Sequence, residues 1–209
     1  TSKLRGPDDL LAIATLGFRG EALPSIASVA RVVLETRPSE RNVGTRIEIN
    51  GGKMMAVKET GCAPGTQITI RSLFYNVPAR RKFLRTDTTE LGHIASLVTH
   101  YALAHPECHF VLKSGSHVIL DAASVSTLQD RVYQVLGRTA LDDLIDIGRG
   151  TVPLPAFRPD TWFQPEAQAS ESAGEITAQG FVSRPQVQKA SSNGIYIFIN
   201  RRLDRKSVV

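Results

Sequence analysis

The sequence predicts a mixed α/β fold in which helices flank an antiparallel set of strands. Three observations predict it. Four β-branched, partly alternating runs follow one another between residues 31 and 74, with turn formers between them. Helix-like segments stand on both sides of this block, and two more strand-like runs come late in the chain. With 209 residues, 42% of them hydrophobic, the chain can bury a core, as one domain or one domain and part of a second.

The elements follow in order. In "GPDDLLAIATLG", Pro7 suits a first helical turn and Asp8 and Asp9 suit the positive helix end. Leu10, Leu11, Ile13 and Ala14 lie behind them, and the helix stops near Gly17. "RGEALPSIASVA" resumes a helix with Ala22, Ile26 and Val29 on one face. "RVVLETR", "VGTRIEIN", "KMMAVKET" and "GTQITIRSLF" are the strands, parted by turns such as "NGGK" and "GCAPG". "PARRKFLR" and "DTTELGHIASLVTHYALAHP" return to helix, with Asp87 as N-cap, Glu90 at the capping-box spacing and Pro106 closing the segment. A hairpin turns at "KSGSH". "SVSTLQDRVYQVLGRTALDDLIDI" is then helical, with Leu128, Val132 and Val135 on the buried stripe. Between 148 and 174 the composition shifts to Pro, Gly, Ser and Ala, which marks a boundary; the strands "EITAQGFVS" and "NGIYIFIN" follow.

Net charge is +5 and the isoelectric point near 9.5, which suits an anionic partner such as nucleic acid or nucleotide without requiring one. Cys62 and Cys108 are isolated, which argues for a reducing compartment and no disulfide. No apolar stretch approaches the roughly 20 residues that span a bilayer, and no signal sequence opens the chain. The expected location is cytoplasmic or nucleoid-associated. Both ends, "TSKLRGPDDL" and "RRLDRKSVV", read as interior to a longer protein.

"LGFRGEAL" raises the chemical question. Gly17 and Gly20 permit a tight backbone just before a helix, so N–H groups and the positive helix end converge where phosphate binds well. Taken alone, the pattern reads better as a plain linker between two helices, since glycine so often punctuates helices.

"TSKL", "DLLAIATLGFRGEALPSIASV", Gly65-Thr66, "LFYNVPARRKFLR" and the strand ending in Asn200, Arg201 and Arg202 resemble, in order and spacing, the MutL family of mismatch-repair proteins. The likeness is dense to residue 105, sparse from 106 to 175, and ends near Arg202. It implies the GHKL-type (Bergerat) ATPase fold, an α+β two-layer sandwich holding ATP under a mobile lid. A ribosomal-protein-S5-like α+β domain would follow. Residues 1–150 would be part of the ATPase domain, 151–174 a linker and 175–209 the opening of the second domain.

Position by position, the resemblance places Thr1, Ser2 and Lys3 in the lid near the phosphates. It makes Gly17, Phe18, Arg19, Gly20, Glu21, Ala22 and Leu23 the phosphate cradle and sets Thr66 near the adenine. Thr66 also reads simply as a β-branched strand residue. The family's water-activating glutamate, its Mg²⁺-binding asparagine and its D-x-G-x-G adenine motif would precede Thr1, and its γ-phosphate lysine would follow Val209. The segment alone would then not hydrolyse ATP, whereas the intact protein would, with Mg²⁺.

Two basic clusters remain. Arg80, Arg81, Lys82 and Arg85 suit a phosphate-facing patch, but read better as the wet face of a short helix with Phe74, Phe83 and Leu84 inward. At the second cluster, Arg201, Arg202, Arg205 and Lys206 suit a nucleic-acid backbone. By resemblance Arg202 is a DNA contact, and Arg201 stands where the family's V-N-G-R has glycine. His100, His105, Cys108 and His109 lack metal-ligand spacing, and Trp162 reads as a docking residue in the linker.

Three classes of function stay open. One is a bacterial mismatch-repair clamp driven by ATP, with DNA, a MutS-like mismatch-recognition protein and a second copy of its own N-terminal region as partners. The others are another ATPase of the superfamily, such as a topoisomerase subunit or chaperone, and a non-enzymatic DNA-binding scaffold.

Overall fold

A computed structural model describes residues 21–155, 172–187 and 194–204. The expected helix over Pro7–Gly17, Trp162, and the basic residues Arg205 and Lys206 lie outside these. Two compact units divide the chain, Thr1–Leu91 and Gly92–Val209.

In the first unit, α1 (Ala22–Val29) leads into β1 (Arg31–Arg37), β2 (Gly44–Asn50), β3 (Lys53–Thr60) and β4 (Gly65–Arg71). These form one antiparallel sheet in the order β3-β2-β1-β4. Because side chains alternate along each strand, the register sorts the sheet into two chemistries. One face carries Ile70, Val32 and Ile49 in one row, Ile68, Leu34, Ile47 and Val57 in the next, and Thr66, Thr36, Thr45 and Glu59 in a third. On the other face Arg46 bridges Glu35 at 2.7 Å and Glu48 at 2.8 Å. The Arg46 guanidinium holds the Glu48 carboxyl below its usual range.

α1 covers one end of the apolar face, where Ala27, Ala30 and Val32 are buried with Ile26 and Ile49 packed on them. Ala22, expected on that face, is exposed, because the helix meets the sheet through its later turns. Ile68, Ile70 and Val57 remain exposed. The "NGGK" turn is the two-residue loop between β2 and β3, with Gly51 at φ 55° and Gly52 at φ 84°, a backbone that favours glycine.

Beyond β4, α2 (Pro78–Arg81) is a single turn and α3 spans Asp87–Ala104. Arg80, Arg81, Lys82 and Arg85 are exposed as expected, but Phe83 is 86% and Leu84 43% exposed. One helical turn is too short to direct both side chains inward. The cap of α3 is Thr86 and not Asp87: the Thr86 hydroxyl accepts from the Thr89 N–H at 3.4 Å, and the Glu90 carboxylate accepts from the Arg85 N–H at 3.0 Å. Asp87 is the first helical residue, where its charge suits the helix dipole.

In the second unit, β5 (Phe110–Ser114) and β6 (His117–Ala122) form the expected hairpin, followed by α4 (Leu128–Asp142). Val132 is buried, with Leu128 and Val135 half-buried. Thr127 caps α4, accepting from the Asp130 N–H at 3.1 Å. Thr127→Ala is therefore expected to lower stability by about 1 kcal/mol, read as a shift of the urea unfolding midpoint.

The helix does not reach Ile147 as the sequence reading expected. Gly137 (φ 82°, ψ 171°) breaks its geometry, and Leu144–Pro155 is strand β7, paired antiparallel with β8 (Ser172–Ser183). Pairing with β8 overrides the helical period of the "LIDI" run. Within the described part of "NGIYIFIN", Phe198–Ile199 form the short strand β9, paired with β10 (Arg202–Leu203).

Arg131 ties this unit together. Its fully buried guanidinium donates to the carbonyls of Pro106 (2.7 Å), Cys108 (2.7 Å), Ala122 (3.1 Å) and Ala123 (3.0 Å) and lies over the Phe110 ring. Burial pushes it below the usual arginine value.

Candidate functional site

The site is assembled from the two motif segments. α1 starts at Ala22, so Glu21, Ala22 and Leu23 form its N-terminal edge, where first-turn N–H groups have no carbonyl partner within the helix. Pro24 is tolerated there because a first-turn residue needs no N–H bond. Thr1, Ser2, Lys3, Gly17, Phe18, Arg19 and Gly20 lie outside the described residues.

The far end of the same helix is clamped. The N–H groups of Gly52, Phe74 and Gly51 donate to the carbonyls of Ala27 (2.8 Å), Val29 (2.7 Å) and Ala30 (3.0 Å), and Asn76 Nδ2 donates to Ser28 O at 2.9 Å. Phe74 and Asn76 belong to "LFYNVPARRKFLR", so that motif holds the helix begun by "GFRGEAL". Ser72 (φ 52°) and Phe74 (φ 61°) adopt left-handed backbone, a local strain that delivers the Phe74 N–H to its acceptor. Arg31 lies over the Tyr75 ring at 5.2 Å, fixing the turn against the start of β1. Spacing alone gave no signal of this clamp.

Thr66 stands at the other end of the sheet, opposite Thr36, and the two hydroxyl oxygens are 2.8 Å apart. Thr36 also donates to Gly65 O at 3.3 Å. Arg37 steadies this edge through Nε to Cys62 O and Nη1 to Arg41 O, both at 2.6 Å. Thr36 is the residue that sequence reasoning missed here. Its only signal was position, one strand over from Gly65-Thr66.

In the second unit, the β9–β10 hairpin turns through Asn200 (φ 49°) and Arg201 (φ 64°). Arg201 Nη1 contacts Glu107 Oε1 at 2.6 Å, and His105 Nδ1 lies 3.3 Å from the same oxygen. The Glu107 backbone N–H, then His105 and Arg201, hold that carboxyl below its usual range. Arg202 is half-buried on β10. His100 stacks obliquely near Tyr196, and His109 meets Asp121 at 2.7 Å. Among the described residues no three His, Cys, Asp or Glu side chains gather as a metal site, and Cys62 and Cys108 are free thiols. No helix of the described residues is long and apolar enough to cross a membrane.

No protein-family model matches the chain. Curated relatives do. The DNA mismatch repair protein MutL of Koribacter versatilis is 50% identical over 217 residues and that of Solibacter usitatus 54% over 216, each match covering 100% of this chain. The chain spans about a third of the length of these relatives, 33% in both. Among solved structures, an Aquifex aeolicus MutL ATPase domain complexed with ADP matches with TM-score 0.66 and 27% identity, over 97% of this chain and 68% of that one. The N-terminal domain of a DNA repair protein, 22% identical, shares the fold with TM-score 0.71. The mixed α/β architecture with antiparallel sheets is thus that of MutL ATPase domains of the GHKL type.

Proposed function

Because the chain belongs to the MutL family of DNA mismatch-repair proteins, we propose that it supplies phosphate-binding, adenine-side and DNA-contacting parts of an ATP-driven repair clamp. One observation carries this reading: Phe74 and Asn76 of the second motif lock the helix whose first turn completes the first motif. A cradle on a clamped helix keeps its N–H groups aimed without reorganisation when the triphosphate arrives.

In this reading Arg19 and the amides of Gly20 to Leu23 take the phosphates. Gly17 and Phe18 shape the turn, while Thr1, Ser2 and Lys3 close over it. Thr66 faces the adenine. The donor set fits a nucleotide: first-turn N–H groups suit phosphate, and the paired hydroxyls of Thr66 and Thr36 suit a base edge. Mg²⁺ would accompany the triphosphate. By the resemblance, residues 1–150 belong to the ATPase domain, 151–174 to the linker and 175–209 to the second domain, with the paired strands β7 (Leu144–Pro155) and β8 (Ser172–Ser183) crossing both of those bounds. Arg202 and Arg201 contact DNA. A MutS-like protein and a second N-terminal region are the protein partners, in the bacterial cytoplasm at the nucleoid.

The test is ATP binding and hydrolysis by the full-length protein. Arg19→Ala is expected to weaken ATP binding about 10- to 100-fold, the loss of a charged hydrogen bond, with the circular dichroism spectrum unchanged. Glu21→Ala is expected to lower hydrolysis in the same folded background. A folded parent that neither binds nor hydrolyses ATP would leave "GFRGEAL" a helix junction and favour the DNA-binding scaffold.

A further inference from the structure

We propose that Glu107 is a resident stand-in for a DNA phosphate: it holds Arg201 at the tip of the β9–β10 hairpin and releases it when a duplex backbone arrives. The inference rests on the DNA-binding reading above and adds its regulation. Three observations carry it. First, the pairing of Ile199 with Arg202 leaves Asn200 and Arg201 as a two-residue turn, both left-handed. Glycine suits the second position of such a turn, so a long cation there sits against the local backbone preference, and such positions mark function.

Second, the guanidinium already makes the contact that a phosphate would make. Nη1 lies 2.6 Å from Glu107 Oε1, and carboxylate and phosphate oxygens present the same acceptor geometry to arginine. Both side chains are open to water, 64% exposed for Arg201 and 49% for Glu107, so exchange uncovers no buried charge. An ion pair this exposed is weak enough for a densely charged backbone to displace. Third, Glu107 has another partner in His105 Nδ1, so its carboxylate keeps a positioned neighbour after Arg201 leaves. The resting tip is thereby neutralised, and its cation is withheld from weaker anions.

The experiment measures binding of a fluorescein-labelled duplex to the full-length protein by anisotropy across a salt series. Glu107→Gln is expected to tighten binding about two- to five-fold at low salt, with the gain fading as salt rises. Arg201→Ala is expected to weaken binding and to reduce the salt slope by about 1. In the Arg201→Ala background the gain from Glu107→Gln disappears. A gain that persists there makes Glu107 a mere repulsive charge and overturns the proposal. So does a Glu107→Gln protein that binds like the parent while Arg201→Ala binds less. If neither Arg201→Ala nor Arg202→Ala changes affinity, the DNA-binding reading itself fails and takes the exchange with it.

Discussion

Arg131→Met is expected to destabilise the second unit by about 2–5 kcal/mol, the cost of leaving buried carbonyl acceptors without their donor. The guanidinium is fully buried, and its acceptors are the carbonyls of Pro106, Cys108, Ala122 and Ala123. These oxygens come from the exit of α3, the entry to β5 and the end of β6, so one side chain joins three segments of the unit. Methionine fills much of the volume and takes the guanidinium donor from all four carbonyls; Pro106 O keeps the Val125 N–H at 2.9 Å, and each acceptor left without a donor costs about 1–3 kcal/mol less whatever water recovers. Urea unfolding followed by circular dichroism measures the loss. Arg131→Lys should restore only part of it, since an ammonium lacks the planar fork that reaches several carbonyls at once. A Lys variant as stable as the parent would show that charge alone is required.

Gly44→Ala is expected to cost about 1–3 kcal/mol, as overpacking does in a closed site, and to weaken ATP binding in the full-length protein. A Cβ at residue 44 would lie 2.5 Å from Cys62 Sγ, 2.8 Å from the Thr36 carbonyl oxygen and 3.1 Å from Arg37 Cβ. The sulfur can turn away; the carbonyl belongs to β1 and cannot. Relief therefore separates β1 from β2 beside Thr36, the residue that meets the Thr66 hydroxyl. Thermal unfolding and a nucleotide titration read the two effects. Adding Cys62→Ala should recover little, because the backbone clash remains; full recovery would place the strain on the thiol instead.

Much of the first unit was legible because its signals are local. Alternation fixed β1 and β3 at their observed ends, and "NGGK" fixed the turn between β2 and β3. Both motif segments were legible as text, yet the clamp that joins them was not, since it consists of side-chain and turn N–H bonds between residues about 50 positions apart, such as Asn76 to Ser28. The misread elements share one cause. Leu144–Ile147 has a helical period but finds a strand partner in β8, and Phe83 has an apolar side chain but lies just past the single-turn helix Pro78–Arg81, which cannot aim it. Tertiary partners decide such segments, and periodicity cannot see them. At Arg201 the departure from glycine was visible in sequence, whereas its carboxylate partner, 94 residues away, was not.

The strand order β3-β2-β1-β4 also sets a sequence of assembly. β1, β2 and β3 are neighbours in the chain and can zip as a meander through short loops, whereas β4 must return across them to close on β1. Joining Thr36 to Thr66 spans 30 residues, the costliest loop closure in the sheet. The threonine pair at the proposed adenine edge is therefore made late in folding and opened early in fluctuation. A bound nucleotide would act there as the last fastener of the sheet, slowing its unzipping from the β4 side.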